Sequence, residues 1–315
     1  MKSTVDSDGA DTRARPLRVI VGPTAAGKSF VAMQLATRFN LAIISADSRQ
    51  VYRRFDIGTA KPSKVDLATV PHYGIDVVDP VERYSAHAWA SDVSHWQADA
   101  LRQGRESVIV GGTGFYIRAL VRPLDAVPAL QPRQRRQLDQ VLGHLDHDSL
   151  RRWCERLDPA RAHLGRTQLL RAVETVLLTG KRITDAFGAQ SPARAVRYLV
   201  IDPGDGLSHI IEKRVDTMIR AGWSTEVHEL MQSIPDDAPA WLASGYGAMR
   251  AHVEGRITLE EATRRIVIET RQYAKRQRTW FRHQLGDGDV ERINPLDADA
   301  AVRIEQWWNR GAHSQ

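Results

Sequence analysis

One cysteine, Cys154, is all that the 315 residues contain. No intrachain disulfide can form, no cysteine cluster can hold zinc, and a reducing compartment is the natural setting. Long apolar runs are missing too. No stretch approaches the roughly 18 uninterrupted apolar residues of a membrane span, and residues 1–16 lack the apolar segment of a signal peptide. A cytoplasmic protein without membrane attachment is expected. Lysine is scarce, standing only at positions 2, 28, 61, 64, 181, 213 and 275, so the formal charge of +6 is carried by arginine. A basic surplus favours a polyanionic partner such as nucleic acid. Arginine-rich usage also follows from genome composition, so charge alone decides nothing. What is present, 42% apolar and 26% charged residues, suffices for a sizeable buried core and excludes a wholly disordered chain.

Residues 1–16 read as a disordered leader. Leu17–Val21, Leu41–Ala46, Ser107–Val110 and Arg197–Ile201 read as buried strands. Lys28–Phe39 carries Val31, Leu35 and Phe39 at helical spacing, and Ala86–Arg102 is helical as well. Strands alternating with helices predict a parallel sheet covered on both faces, with its sites beyond the carboxyl ends of the strands. Composition shifts near Pro123–Pro132, and from Arg133 to about Gly188 the chain is helical, arginine-dense and free of strand-like runs. Two further helices are expected near Ser208–Ala221 and Leu259–Leu285. The tail from Asp287 carries no clear pattern.

The strongest motif is Gly22-Pro23-Thr24-Ala25-Ala26-Gly27-Lys28-Ser29, a complete GxxxxGK[ST] between a strand and a helix. Its backbone N–H groups are suited to wrap a phosphate at a helix N-terminus. Lys28 adds a cation for the terminal phosphate and Ser29 a ligand for Mg²⁺, so a di- or triphosphate is expected here. The predicted architecture is therefore α/β, a P-loop NTPase-like parallel-sheet core at 17–128 and 196–315 with an all-helical insertion domain at 129–195. P-loop NTPases hold Mg²⁺ with an Asp from another strand. Ser107–Val110 ends instead in Gly111-Gly112-Thr113-Gly114, without an acid. That stretch reads either as a tight turn or as a turn bringing Thr113 to a ligand. The nearest acid is Asp47, after Leu41–Ala46, which reads as a site carboxylate or as a helix N-cap. On the late helix Arg271, Lys275, Arg278 and Arg282 recur at i, i+4, i+7 and i+11 and share one face, with Trp280-Phe281 nearby. That face suits RNA backbone and bases, or is a plain solvated surface. The insertion adds Arg133, Arg135, Arg136, Arg151 and Arg152. His72 and His87 show no metal-ligand spacing. The residues alone leave open a transferase on a large anionic acceptor, a small-molecule kinase and an RNA-binding nucleotide switch.

Four segments taken together resemble the bacterial tRNA dimethylallyltransferase family: GPTAAGKS at 22–29, ADSRQVYRRFDIGTAKP at 46–62, VGGTGFYIRAL at 110–120 and TRQYAKRQRTWFR at 270–282. The resemblance runs from about Arg18 to Arg282. It implies a P-loop core whose helical insertion clasps the tRNA anticodon arm. It further implies that the adenosine immediately 3′ of the anticodon is flipped into a channel, which dimethylallyl diphosphate enters from the other side. By motif, the loop Gly22–Ser29 would grip the diphosphate with Mg²⁺ on Ser29, Asp47 would be the general base, and Thr113 would face the channel. Arg214 would assist the leaving diphosphate. The resemblance assigns tRNA contacts to Asp47, Ser48, Arg49, Gln50, Thr113, Arg135, Gln168, Arg171, Gly245 and Tyr246. It extends them along the late helix to Lys275, Arg276, Gln277, Arg278, Thr279, Trp280 and Arg282. A monomer is expected. The sequence departs from the family pattern at Tyr73, Thr167, Ser244, Gly247 and Ile210, which leaves the loop, Asp47 and Thr113 untouched but bears on tRNA affinity.

Overall fold

Val19, Ile20, Val21, Ile44, Ile109, Leu199 and Ile201 are each 1% exposed or less, which strands reach only when both faces of their sheet are covered. The computed structural model describes residues 16–122, 132–186, 194–285 and 289–310. The expected leader up to residue 15 and the composition shift at 123–131 lie outside the described residues. In chain order the first half runs β1 (Leu17–Val21), α1 (Lys28–Phe39), β2 (Ala42–Ser45), α2 (Lys64–Thr69), β3 (His72–Tyr73), α3 (Ala86–Arg102), β4 (Ser107–Gly111) and α4 (Gly114–Val121). Four helices follow: α5 (Pro132–Leu142), α6 (His147–Leu157), α7 (Arg166–Thr179) and α8 (Ile183–Ala186). The chain then continues through β5 (Val196–Ile201), α9 (Leu207–Arg220), α10 (Trp223–Met231), α11 (Tyr246–Val253), α12 (Leu259–Gln284), β6 (Asp289–Ile293) and α13 (Ala300–Asn309).

The six strands form one sheet in the order β3-β2-β4-β1-β5-β6, every pair parallel. The parallel α/β reading of the apolar runs therefore holds. Two strands were not anticipated, and both lie at the edges. β3 has two residues, and its Tyr73 hydroxyl donates to Asp99 at 2.6 Å. β6, DVERI, is charged because an edge strand tolerates charge and gains from it. Its Asp289 accepts from buried Arg197 of β5 at 2.8 Å, and Glu291 pairs with Arg303 and Arg310. Because β1, β2, β4 and β5 all point the same way, the loops after Val21, Ser45, Gly111 and Ile201 emerge at one edge.

Residues 122–193 form a compact unit of their own. Leu150, Cys154, Leu169, Ala172 and Val173 are its core, each fully buried. Asp158, 0% exposed, holds α8 by accepting from the backbone N–H and hydroxyl of Thr184. Glu174, also 0% exposed, accepts from Arg135 Nε at 3.1 Å and lies 3.9 Å from Arg171. Glu174→Ala would leave these cations without their shared counter-charge. With both arginines about one-third exposed, the expected destabilisation of the unit is about 3 kcal/mol, the low end for a broken buried pair. Hydrogen exchange should show α6 and α7 losing protection while the sheet keeps its own.

Candidate active site

The loop after β1 starts at Gly22, where a Cβ would stand 2.1 Å from the carbonyl oxygen of Ile201 in β5. Only glycine allows the chain to turn this tightly against the neighbouring strand. Ala25 and Gly27 then take left-handed conformations, with φ of 65° and 89°, and α1 begins at Lys28. Successive N–H groups curled in this way at a helix N-terminus make an anion-binding nest. Lys28 Nζ donates to the carbonyl of Pro23 at 2.7 Å, which folds the ammonium back over the loop. Burial lowers its pKa to about 8, with Arg214 adding to the shift and Asp47 opposing it. Arg214, from α9, donates from Nη1 to Thr24 Oγ1 at 3.1 Å. Its own pKa is pushed down by burial and held up by Asp47.

Opposite the loop stands the turn after β2. Asp47 Oδ1 accepts from the N–H of Arg49 at 2.8 Å, an Asx turn that fixes the carboxylate, while Oδ2 has no hydrogen-bond partner among the described residues. No helix starts at Asp47, so it is not the helix N-cap that was one expectation; it closes a turn and lines a cavity. Gln50 holds the turn from behind: its amide donates to the carbonyls of Thr59 and Ala60 and accepts from Ser45 Oγ. After β4, Thr113 Oγ1 accepts from Ser48 N at 3.0 Å, so the glycine-rich turn brings Thr113 beside the Asp47 turn. Tyr273, from α12, borders the same space as Asp47. Burial and then Asp47 push its phenol up to about 12.

Asp47, Arg214 and Tyr273 share a cavity of about 540 Å³, which Thr24 of the phosphate loop also lines. Thr24, Asp47, Ser48 and Arg214 give it a charged, polar part. Ile211, Val215 and Met218 recur at i, i+4 and i+7 along α9 and, with Trp223 and Ile266, give it an apolar part. Sequence reading missed this apolar lining, although the α9 periodicity carried it. It also missed Tyr273 inside a motif it had singled out. Among the described residues no three His, Cys, Asp or Glu side chains gather for a metal. A divalent ion here would be held by Ser29, water and the ligand's own phosphate oxygens, which is how Mg²⁺ is usually bound.

The residues expected to touch RNA divide in two. Lys275, Arg276, Thr279 and Arg282 are exposed on α12, Gln168 is exposed on α7, and Trp280 packs over Gly114 beside Thr113. Several others have internal duties that argue against direct contact. Gln277 is 6% exposed, with both ends of its amide engaged inside the core. Tyr246 is 0% exposed and donates to Glu226 at 2.7 Å, and Gly245 is buried with its N–H on Glu269. Arg278 is bound to Asp202 and to the carbonyl of Gly204, Arg271 to Glu212, and Arg135 and Arg171 to Glu174. The four-cation stripe thus keeps two cations, Lys275 and Arg282, without an ion-pair partner among the described residues. Of the positions departing from the family pattern, Ser244 lines the cavity, while Thr167 and Gly247 are exposed.

Fold and site together define a P-loop α/β transferase in which a phosphate nest and a carboxylate share one half-apolar cavity. A family model described as IPP transferase matches residues 50–284, and one described as isopentenyl transferase matches residues 15–75. The tRNA dimethylallyltransferase of Acaryochloris marina is 40% identical over 276 residues, covering 86% of this chain and 90% of its own length. That of Deinococcus radiodurans is 36% identical over 293 residues, covering 90% and 94%. Among solved structures, a tRNA delta(2)-isopentenylpyrophosphate transferase from Staphylococcus epidermidis gives a TM-score of 0.66 at 28% identity, with 96% of this chain and 100% of that chain covered. A eukaryotic dimethylallyltransferase acting on tRNA gives 0.76 at 26% identity, with 95% and 77% covered. The chain belongs to the IPP transferase family.

The lowered pKa of Lys28 has a sign that can be tested. An anion on the loop binds the protonated ammonium, so below about pH 8 the charge is already present and affinity is flat. Above about pH 8 the free protein loses that proton and must regain it on binding. Affinity for inorganic diphosphate should fall by up to about tenfold per pH unit, with net proton uptake. Calorimetry between pH 7 and 9.5 in two buffers of different ionisation enthalpy measures both, and Lys28→Met should abolish the uptake. Without ligand the same shift opposes folding below about pH 8 and is relieved as pH rises towards 10.5.

Proposed function

We propose that the protein transfers the dimethylallyl group of dimethylallyl diphosphate to N6 of the adenosine immediately 3′ of the anticodon in tRNA, giving N6-isopentenyladenosine and diphosphate. The observation that carries the reading is the single cavity in which Asp47, Arg214 beside the phosphate nest, and the apolar stripe of α9 meet. Phosphates in the nest and a short hydrocarbon against Ile211, Val215 and Met218 fit that division. The relatives named above carry the same activity in their names, and the exposed cations of α12 suit the backbone of the acceptor.

The adenine N6 amine is a poor nucleophile because its lone pair is delocalised into the ring. As the N6–C bond forms and the allylic C–O bond breaks, N6 gives a proton to the Asp47 carboxylate. Thr113 and Tyr273 stand beside Asp47 as hydroxyls that can orient the amine. The allylic carbon tolerates positive charge, so the leaving diphosphate is the group needing help. Lys28, Arg214 and the loop amides face it where negative charge grows. Mg²⁺, when bound, neutralises further charge on the diphosphate, with Ser29 as its protein ligand. An adenine must leave its stack to reach the cavity, which calls for grip on the RNA on both sides. The arginines of the 122–193 unit and the exposed cations of α12 are each proposed to bind the RNA backbone, with the protein acting as a cytoplasmic monomer. No described helix is long and apolar enough to cross a membrane.

Asp47→Asn should lower turnover by roughly 10²–10⁴-fold while tRNA affinity stays near normal. Near-normal turnover in the purified variant would reduce Asp47 to its Asx turn. The rival reading, a kinase using the same loop, is separated by donor label. With enzyme, Mg²⁺ and unmodified tRNA, labelled dimethylallyl diphosphate should mark the RNA and labelled ATP should release no phosphate. The turn after β4 offers no acid to organise phosphoryl transfer. Robust hydrolysis of ATP without prenylated RNA would favour the kinase.

The ion pairs on α12 sharpen a second expectation. Replacing Lys275 and Arg282 by Ala should each reduce the log–log salt slope of tRNA binding by roughly 0.7–0.9. Arg271→Ala should change it little, because that cation is already spent on Glu212. Filter binding across a salt series reads all three; equal effects from all three would return α12 to a uniformly charged face.

A further inference from the structure

Gln277 lies on the buried side of α12, between the two loops that build the cavity. Its Oε1 accepts the N–H of Thr24, in the phosphate loop, at 2.7 Å. Its Nε2 donates to the carbonyl of Gly112, in the turn after β4, at 2.8 Å. The two bonds span 253 and 165 residues of chain, so one amide ties together loops that follow different strands. Each loop residue then touches a group of the site. Thr24 Oγ1 accepts from Arg214, and Gly112 is followed by Thr113, which accepts from the N–H next to Asp47.

We propose that Gln277 is a positioning residue for the diphosphate donor rather than an RNA contact. It fixes the first turn of the phosphate nest, and through it Arg214, relative to the Thr113–Asp47 wall. Three facts support this. The N–H of Thr24 is committed to Gln277, so it orients the loop instead of meeting the ligand. The amide is too buried to meet an external partner, at 6% exposure of the residue. And Gly112 is shaped around it, since a Cβ there would stand 2.2 Å from Gln277 Nε2. A loop amide left buried without its acceptor can turn or recruit water, and the nest then loses its preset form. The inference rests on the reading of the loop as the donor site but not on the identity of the acceptor.

The test uses the whole chain with three changes: Gln277→Met, which keeps the volume and removes both bonds, Gly112→Ala, and the two combined. Calorimetry with dimethylallyl diphosphate and Mg²⁺, without RNA, gives donor affinity; steady-state prenyl transfer gives KM and kcat; filter binding gives tRNA affinity. Gln277→Met should weaken donor binding and raise donor KM by about tenfold, with tRNA affinity within about twofold of wild type. Gly112→Ala should do the same by displacing the amide, and the double variant should be little worse than either single one, because both act on one contact. Donor affinity unchanged in folded Gln277→Met overturns the proposal. So does weakened tRNA binding with donor affinity intact, which would make Gln277 an RNA contact after all. Should Gln277→Met fail to fold, Gly112→Ala alone decides by the same two readings. A wild-type chain that binds the diphosphate but prenylates no RNA would refute the assigned reaction and leave the Gln277 proposal standing.

Discussion

Two cations and one carboxylate brought together at the carboxyl edge of a parallel sheet are the constraint on which the rest depends. Lys28 and Arg214 both resist their charge through burial, and Asp47 alone offsets them. The cluster is therefore short of negative charge, and an anionic ligand relieves the shortage. Holding such a cluster requires rigid supports, and the sheet supplies them. Lys28 follows β1, Asp47 follows β2, Thr113 follows β4, and Arg214 rides on the helix after β5. A site made of loop ends from four parallel strands is pre-organised by the strands themselves, so little ordering is left to be done when the ligand arrives.

That arrangement also divides the ligand. The phosphate nest recognises charge through backbone groups and is indifferent to what the phosphates carry. Selectivity has to come from the rest of the cavity, where Ile211, Val215, Met218 and Ile266 offer no partner to a ribose or a base. A nucleoside in that space would lose its hydrogen bonds to water without replacement, whereas a branched five-carbon chain loses none. The loop announces a P-loop protein; the helix opposite it excludes the usual P-loop ligand from the apolar part of the cavity.

Much of this was legible in the residues, for physical reasons. Central strands of a covered parallel sheet must be apolar on both faces, so Leu17–Val21 and Ser107–Val110 stand out, and a phosphate nest has so few chemical solutions that GPTAAGKS is nearly self-explanatory. The edges were not legible. β6 is built around Asp289 and Glu291, whose partners Arg197, Arg303 and Arg310 lie up to 92 residues away, and no local period reveals such pairs. The apolar wall was half legible: the period of Ile211, Val215 and Met218 is visible, but a stripe facing a cavity and a stripe facing the core look the same in sequence.

α12 shows where the reading by charge period stops. Its stripe of Arg271, Lys275, Arg278 and Arg282 is real as geometry, yet free charge depends on what other elements present to it. Glu212 comes from α9 and Asp202 from the end of β5, and each takes one arginine out of the stripe. On the opposite side Ala274, Gln277 and Phe281 are buried. One helix therefore serves three surfaces: ion pairs that dock it on the sheet, a buried face that reaches both loops of the cavity, and a remainder of exposed cations. A motif such as TRQYAKRQRTWFR mixes these duties because neighbours in sequence point to different sides of a helix. Its residues need not share one function even when they share one motif, and the buried amide of Gln277 between exposed Arg276 and paired Arg278 is the clearest instance.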